Sequence, residues 1–213
     1  MSRKQALQSF NQELHISHSQ IFTYLNCSLK YRFQYVENRK PERVSIALIF
    51  GSAIHSALEM YYQELKNREQ APSLEAICKR FHTYLELDLE TTDIPVIYKK
   101  STPDRASTVS MGKAMLKVFY ENIVQTVQNV QEIIDVELPL KATLYTDDGQ
   151  PTDFKLMGII DLLIRDNNGE LIIVDNKTVY SPMSQDMGSA YDSIDSLNLI
   201  MDSFEVVEKF SSH

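Results

Sequence analysis

Little in this chain supports a fold held by covalent cross-links or one embedded in a membrane. Only two of its 213 residues are cysteine, Cys27 and Cys78, too few for a disulfide framework or for a four-cysteine zinc or iron–sulfur site. A reduced, cytoplasmic protein is therefore expected. No run of 18 apolar residues occurs, and the opening MSRKQALQSFNQELH lacks the apolar stretch of a signal peptide, so no membrane partner is expected. Basic charge in excess is missing too: 21 Lys and Arg stand against 29 Asp and Glu, a formal net charge of −8. That balance argues against binding nucleic acid through overall charge and leaves only a local site for it. Six glycines and seven prolines provide few breaks, and no fixed period repeats. The 43% hydrophobic content suffices for one sizeable core.

What is present changes character along the chain. Ser17 is placed to cap a helix over 17–36 carrying Ile21, Tyr24, Leu25, Leu29, Tyr31 and Phe33, and the polar stretch 37–45 with Pro41 reads as a loop. Ile54, Leu58, Tyr61, Tyr62 and Leu65 mark a second helix over about 51–66. Ser73 caps a third, with Leu74, Ile77, Phe81 and Leu85 as its stripe. After a break at 91–101, Thr102-Pro103-Asp104 opens a long helix to about Val130, the proline in its first turn. The period then becomes extended. Segments 132–145, 154–164 and 170–177 are separated by Asp147-Asp148-Gly149 and Asn167-Asn168-Gly169, which predicts an antiparallel three-strand meander. A final helix is expected within 189–210. Helices, then a sheet, then a helix make the fold class α/β (α+β).

The chemistry concentrates at the strand ends, in Gly158-Ile159-Ile160-Asp161 and Val174-Asp175-Asn176-Lys177-Thr178. Side chains alternate along a strand, so Asp175 and Lys177 share one face while Val174 and Asn176 take the other. Where Asp161 falls depends on the turn. A two-residue Asn168-Gly169 turn sets it opposite Asn176. A three-residue loop, with Gly169 left-handed and Asp166 opposite Glu170, sets it opposite Asp175. We expect the three-residue loop. Two facing carboxylates repel, and a hard cation between them relieves that, so Mg²⁺ or Mn²⁺ suits Asp161 and Asp175 better than zinc. Such an ion with Lys177 nearby suits phosphodiester hydrolysis. On the second helix, His55 and Glu59 stand four apart and point the same way.

Four segments in order, ISHSQIFTYLNCSLKYRFQY (16–35), GSAIHSALE (51–59), GIID (158–161) and IVDNKT (173–178), resemble the RecB-type exonuclease branch of the PD-(D/E)XK nuclease superfamily. The resemblance implies a restriction-endonuclease-like core, a mixed sheet with the antiparallel meander flanked by helices. It implies a metal-dependent DNA exonuclease or nuclease acting in DNA repair, recombination or phage DNA processing in a bacterial or phage setting. By position it implies that Asp161, Asp175 and His55 hold the metal, that Lys177 is the catalytic lysine, and that Thr178 and Glu137 support the site. Glu59 is expected to be structural or supporting. Its substrate would be single-stranded DNA or duplex ends, with a helicase or recombination protein as a further partner.

Two departures from the family pattern stand out. Cys27 matches a cysteine that in some relatives joins three others near the C-terminus, which this sequence lacks. No iron–sulfur cluster is expected, and Cys27 is read as a helix-packing residue. Relatives also carry Gln-x-x-x-Tyr after the Lys-Thr pair, and no such spacing occurs in 179–213. Residues 1–178 are therefore read as the nuclease core with its N-terminal helical segment, and 179–213 as a divergent or truncated helical segment. The alternative function is a catalytically weak or inactive nuclease-fold module that binds DNA or a helicase. A local basic segment exists for either role. Residues 30–43 hold Lys30, Arg32, Arg39, Lys40 and Arg43 against Glu37 and Glu42, a balance of +3, interleaved with aromatics. Lys30, Arg32, Arg39 and Lys40 are its candidate DNA contacts. The acidic excess lies elsewhere, six carboxylates against Lys209 in 180–213.

Overall fold

The computed structural model describes residues 14–68, 70–100, 102–127, 130–178 and 199–205. It opens on a short strand, β1 (His15–Ser17), and a helix, α1 (His18–Asn26). Ser17 caps α1 as its sequence position requires: its hydroxyl accepts the Gln20 N–H while the Gln20 side chain accepts the Ser17 N–H. The single helix expected over 17–36 is broken. Cys27 is extended and its Sγ accepts the Lys30 N–H, which restarts the chain as α2 (Ser28–Tyr31) and a π-turn over Arg32–Val36. No residue of these three pieces is buried, and Ile21, Phe22, Tyr24, Leu25 and Leu29 are exposed. Without a core to enforce continuity, a local cap decides where such a helix stops. Cys27 is accordingly an exposed capping residue, which corrects its reading as a packing residue.

The core is built by three longer helices. Strand β2 (Val44–Ser45) leads into α3 (Ile46–Arg68), which starts five residues before the expected Gly51 because Ile46 and Ile49 are themselves buried. Helix α4 (Leu74–Thr91) is capped by Ser73 and buries Ile77, Phe81 and Leu85, as its periodicity predicts. Cys78 packs partly buried against this core, and burial pushes its thiol pKa up. Strand β3 (Val96–Ile97) pairs in parallel with β2. Helix α5 (Arg105–Val127) follows. Its cap is Asp104, whose Oδ1 accepts the Ser107 N–H at 2.8 Å, so Pro103 stands before the helix rather than in its first turn.

The meander forms as expected from β4 (Val130–Tyr145), β5 (Pro151–Asp166) and β6 (Leu171–Thr178), each antiparallel to the next. Strand β1 joins β5 in parallel, His15 opposite Lys155. Residues 199–205 are a strand, β7 (Leu199–Glu205), antiparallel to β6. This corrects the helix expected over 189–210, the rest of which lies outside the described residues. Pairing with β6 satisfies an edge whose N–H and C=O groups would otherwise face solvent, a tertiary gain that outweighs a diluted helical pattern. Among the described residues no helix is long and apolar enough to cross a membrane. Val136, Leu162, Ile164 and Val174 of the sheet pack with Ile54, Leu58, Tyr61 and Tyr62 of α3 in one core.

The β5–β6 turn decides the register. The Asp166 N–H reaches the Glu170 carbonyl, Gly169 has φ +87, and the ladder runs through Arg165↔Leu171 to Leu162↔Val174. That is the three-residue loop, and one further step puts Asp161 across from Asp175. Asp166 holds the turn together by accepting the backbone N–H groups of Glu170 and Asn168, which lowers its carboxyl pKa, the Glu170 bond first. A carboxylate lowered on folding contributes stability above the ordinary carboxylate range, lost as pH falls through its folded value. Asp166→Ala should therefore lower the thermal midpoint at pH 7. The gap should close as the comparison is repeated below about pH 4.

Candidate metal centre

Strands β5 and β6 part at the point where their acidic residues begin. The Asn176 N–H donates at 2.8 Å to Oδ2 of Asp161 instead of to a backbone carbonyl, so the Asp161 side chain is the wedge between the strands. It is only 5% exposed. A buried carboxylate has to be compensated, and helix α3 helps to supply this: His55 Nδ1 lies 3.6 Å from the same Oδ2. Glu137 on β4, 3% exposed, completes the group. Ligand atoms of His55, Glu137 and Asp161 all lie within 4.8 Å of one another.

Glu137 reaches the cluster through an unusual backbone. Its φ is +54, in the left-handed region that a side chain other than Gly, Asn or Asp seldom occupies, and such strain gathers at functional sites. Both faces of the strands are covered at this level, since Val136 and Glu137 are both buried, as are Asp161 and Leu162. Each strand thereby supplies one residue to the core and its neighbour to the cluster. Tyr62, seven residues along α3 from His55, is buried, and its phenol pKa is pushed up by burial first and then by Tyr61 and Asp161. It stays a neutral neighbour of the carboxylate.

The predicted residues separate into those brought together and those not. His55 and Asp161 are brought together. Glu137, expected only to support the site, stands in the cluster itself, and its signal in the sequence was an acid within the apolar run VELPL. Asp175 is half-buried between buried Val174 and Asn176 and does not belong to the cluster. Lys177 lies on β6 opposite Ile200 of β7, and its side chain is outside what the structure describes. Gly51 faces Thr178: a Cβ there would sit 3.4 Å from Thr178 Oγ1, in ordinary van der Waals contact, so α3 passes close to the end of β6. Glu59 lines a separate groove with Gln63, Glu64 and Arg80. Lys30, Arg32, Arg39 and Lys40 are all exposed, but Arg32 and Arg39 both bond Glu37 at 2.6 Å, and Arg39 lies over the Phe33 ring.

One partly buried imidazole and two buried carboxylates that converge are a donor set for a divalent cation. Asn176, whose N–H bonds Asp161, also carries a buried Oδ1 with no hydrogen-bond partner among the described residues. The residues present thus fit a metal. The family model of the PD-(D/E)XK nuclease superfamily matches residues 15–196. The chain belongs to this superfamily. No curated protein gives a match. The match includes β1 through β6 and every helix described above, and the helices around a mixed sheet agree with a restriction-endonuclease-like fold. Membership makes the protein a nuclease by family, one whose members use divalent metals on nucleic acid, and His55, Glu137 and Asp161 are where this chain can hold one.

Proposed function

We propose that the protein is a metal-dependent DNA nuclease of the RecB-type exonuclease branch, acting on single-stranded DNA or duplex ends in repair, recombination or phage DNA processing. The observation that carries the reading is the convergence of partly buried His55 with buried Glu137 and Asp161 in a chain whose GIID and IVDNKT segments resemble that branch. His55, Glu137 and Asp161 hold the cation, and Asn176 fixes Asp161 through its N–H. A bound cation supplies Lewis acidity toward a phosphodiester oxygen and lowers the pKa of water. Lys177 offsets developing negative charge or orients the attacking water, and Asp175 bears on the site from the neighbouring position of β6. Lys30, Arg32, Arg39 and Lys40 contact the phosphate backbone, with Arg32 and Arg39 exchanging Glu37 for phosphate. An imidazole nitrogen beside two carboxylates favours Mn²⁺ over Mg²⁺.

One observation favours the second reading, a catalytically weak nuclease-fold module that binds DNA or a helicase: Asp175 lies outside the cluster. A cleavage assay separates the two. Labelled single- and double-stranded DNA is incubated with the protein and Mn²⁺ or Mg²⁺, beside Lys177→Ala. The enzyme reading expects cleavage that is faster with Mn²⁺, abolished by chelation, and about a hundredfold or more slower in the variant. DNA retention without cleavage would instead establish the binding module.

A further inference from the structure

Strand β4 carries one residue more than β5 between the pairs Ile133↔Ile164 and Asp135↔Leu163. The extra residue is Ile134, and a bulge of this kind leaves a backbone group out of the ladder and re-aims the side chains beyond it. Beyond it the register runs Val136↔Leu162 and Leu138↔Ile160, so Glu137 falls across from Asp161. A slip of one residue would set Ile160 there instead and turn Glu137 to the other face.

The bulge is held from outside the sheet. Lys66, near the end of α3, donates its Nζ to the Ile134 carbonyl at 2.6 Å and to Asp135 Oδ1 at 3.2 Å. The same Oδ1 accepts the Val136 N–H at 2.9 Å. One ammonium thus satisfies the carbonyl of the bulged residue and fixes the carboxylate that braces the next peptide, one residue short of Glu137. Helix α3 therefore grips the site at two points, through His55 as a member of the cluster and through Lys66 eleven residues later.

We infer that Lys66 and Asp135 are positioning residues that set the β4 bulge and hold Glu137 in its strained backbone so that it can bind the cation. This rests on the metal-site reading above. Side chains of this kind tune metal affinity by roughly tenfold to a hundredfold although they never touch the ion. Their influence has to pass through Glu137.

The test is Mn²⁺ binding by the whole chain, measured by calorimetry and by the electron paramagnetic resonance of free Mn²⁺. Lys66→Met should weaken binding about tenfold or more, Asp135→Asn by a smaller factor, and Lys66→Arg, which keeps a donor, should stay near wild type. The deciding comparison is with Glu137→Gln. If Lys66 acts through Glu137, Lys66→Met in that background should change Mn²⁺ affinity less than about twofold, because coupled residues are not additive. An equal loss in both backgrounds, or unchanged binding in Lys66→Met, overturns the proposal while leaving the metal site standing. Failure of the wild-type chain to bind Mn²⁺ removes the metal site and this role together. Lys66 and Asp135 are both partly exposed. Should Lys66→Met fold poorly, Asp135→Asn alone and with Glu137→Gln supplies the same cycle.

Discussion

Asp161→Asn is expected to slow metal-dependent DNA cleavage by roughly a hundredfold to a thousandfold while leaving the fold intact. The substitution keeps the shape of the side chain, and the asparagine carbonyl oxygen can still accept the Asn176 N–H that Oδ2 accepts at 2.8 Å. What it removes is the negative charge 3.6 Å from His55. Glu137 is then the only carboxylate in the cluster, and one carboxylate with one imidazole binds a hard cation weakly. The loss should appear both as slower release of labelled nucleotide at saturating DNA and as weaker Mn²⁺ binding, with a thermal midpoint close to wild type in the presence of chelator. Cleavage within a few-fold of wild type would show that the reaction does not run through Asp161. If the chain is the weak module, the Mn²⁺ loss should persist where no cleavage is seen.

The largest stability effect is expected where α4 meets α5. Phe81 is fully buried and packs edge-on against Phe50 with ring centroids 5.7 Å apart. A Cβ added at Gly112 would run into the Phe81 ring, so α5 approaches α4 at a point where one methyl group has no room. Phe81→Ala should cost about 3–5 kcal/mol through lost contacts and the cavity left behind. Gly112→Ala brings about 1 kcal/mol of helix propensity against about 1–3 kcal/mol of overpacking, and a ring fully enclosed on its other sides cannot swing clear. The net change should therefore be destabilising. Combining Gly112→Ala with Phe81→Leu, which gives the methyl group space, should recover part of the loss. Urea unfolding of wild type, Phe81→Ala, Phe81→Leu, Gly112→Ala and the double variant measures all of this. A fully additive double mutant would mean that the two positions do not share the space that the structure gives them.

Much of this molecule can be read from local pattern. Helices α3, α4 and α5 follow from apolar residues three and four apart, and the caps at Ser17 and Ser73 from a hydroxyl preceding such a stripe. The meander follows from extended runs separated by Asp-Gly and Asn-Gly. Even the register of β5 against β6 was legible, because Asp166-Asn167-Asn168-Gly169 favours a three-residue loop with a left-handed glycine, and period-two alternation then carries Asp161 to the level of Asp175. These are short-range properties: one turn of helix, one hairpin, one cap. His55 and Asp161, singled out by their motifs, lie 3.6 Å apart through Nδ1 and Oδ2.

The membership of the cluster was not of that kind. Alternation along a single strand gives the relation of Asp175 to Lys177 but not the bulge at Ile134 on β4, which brings Glu137 across from Asp161. That bulge is held by Lys66, nearly 70 residues away in sequence, and no window of local sequence contains both. The same limit applies to β7, which pairs with β6 because an open sheet edge gains more from a partner than a diluted apolar pattern gains from a helix. It applies also to the exposed helices at the N-terminus, whose apolar stripe promised a buried face that the described core does not provide. The sequence by itself determined the three long helices, the meander with its hairpin register and the nuclease motifs, because each depends on neighbours a few residues apart. Only the tertiary structure decided which carboxylates converge with His55, because that depends on a strand irregularity fixed by a distant helix.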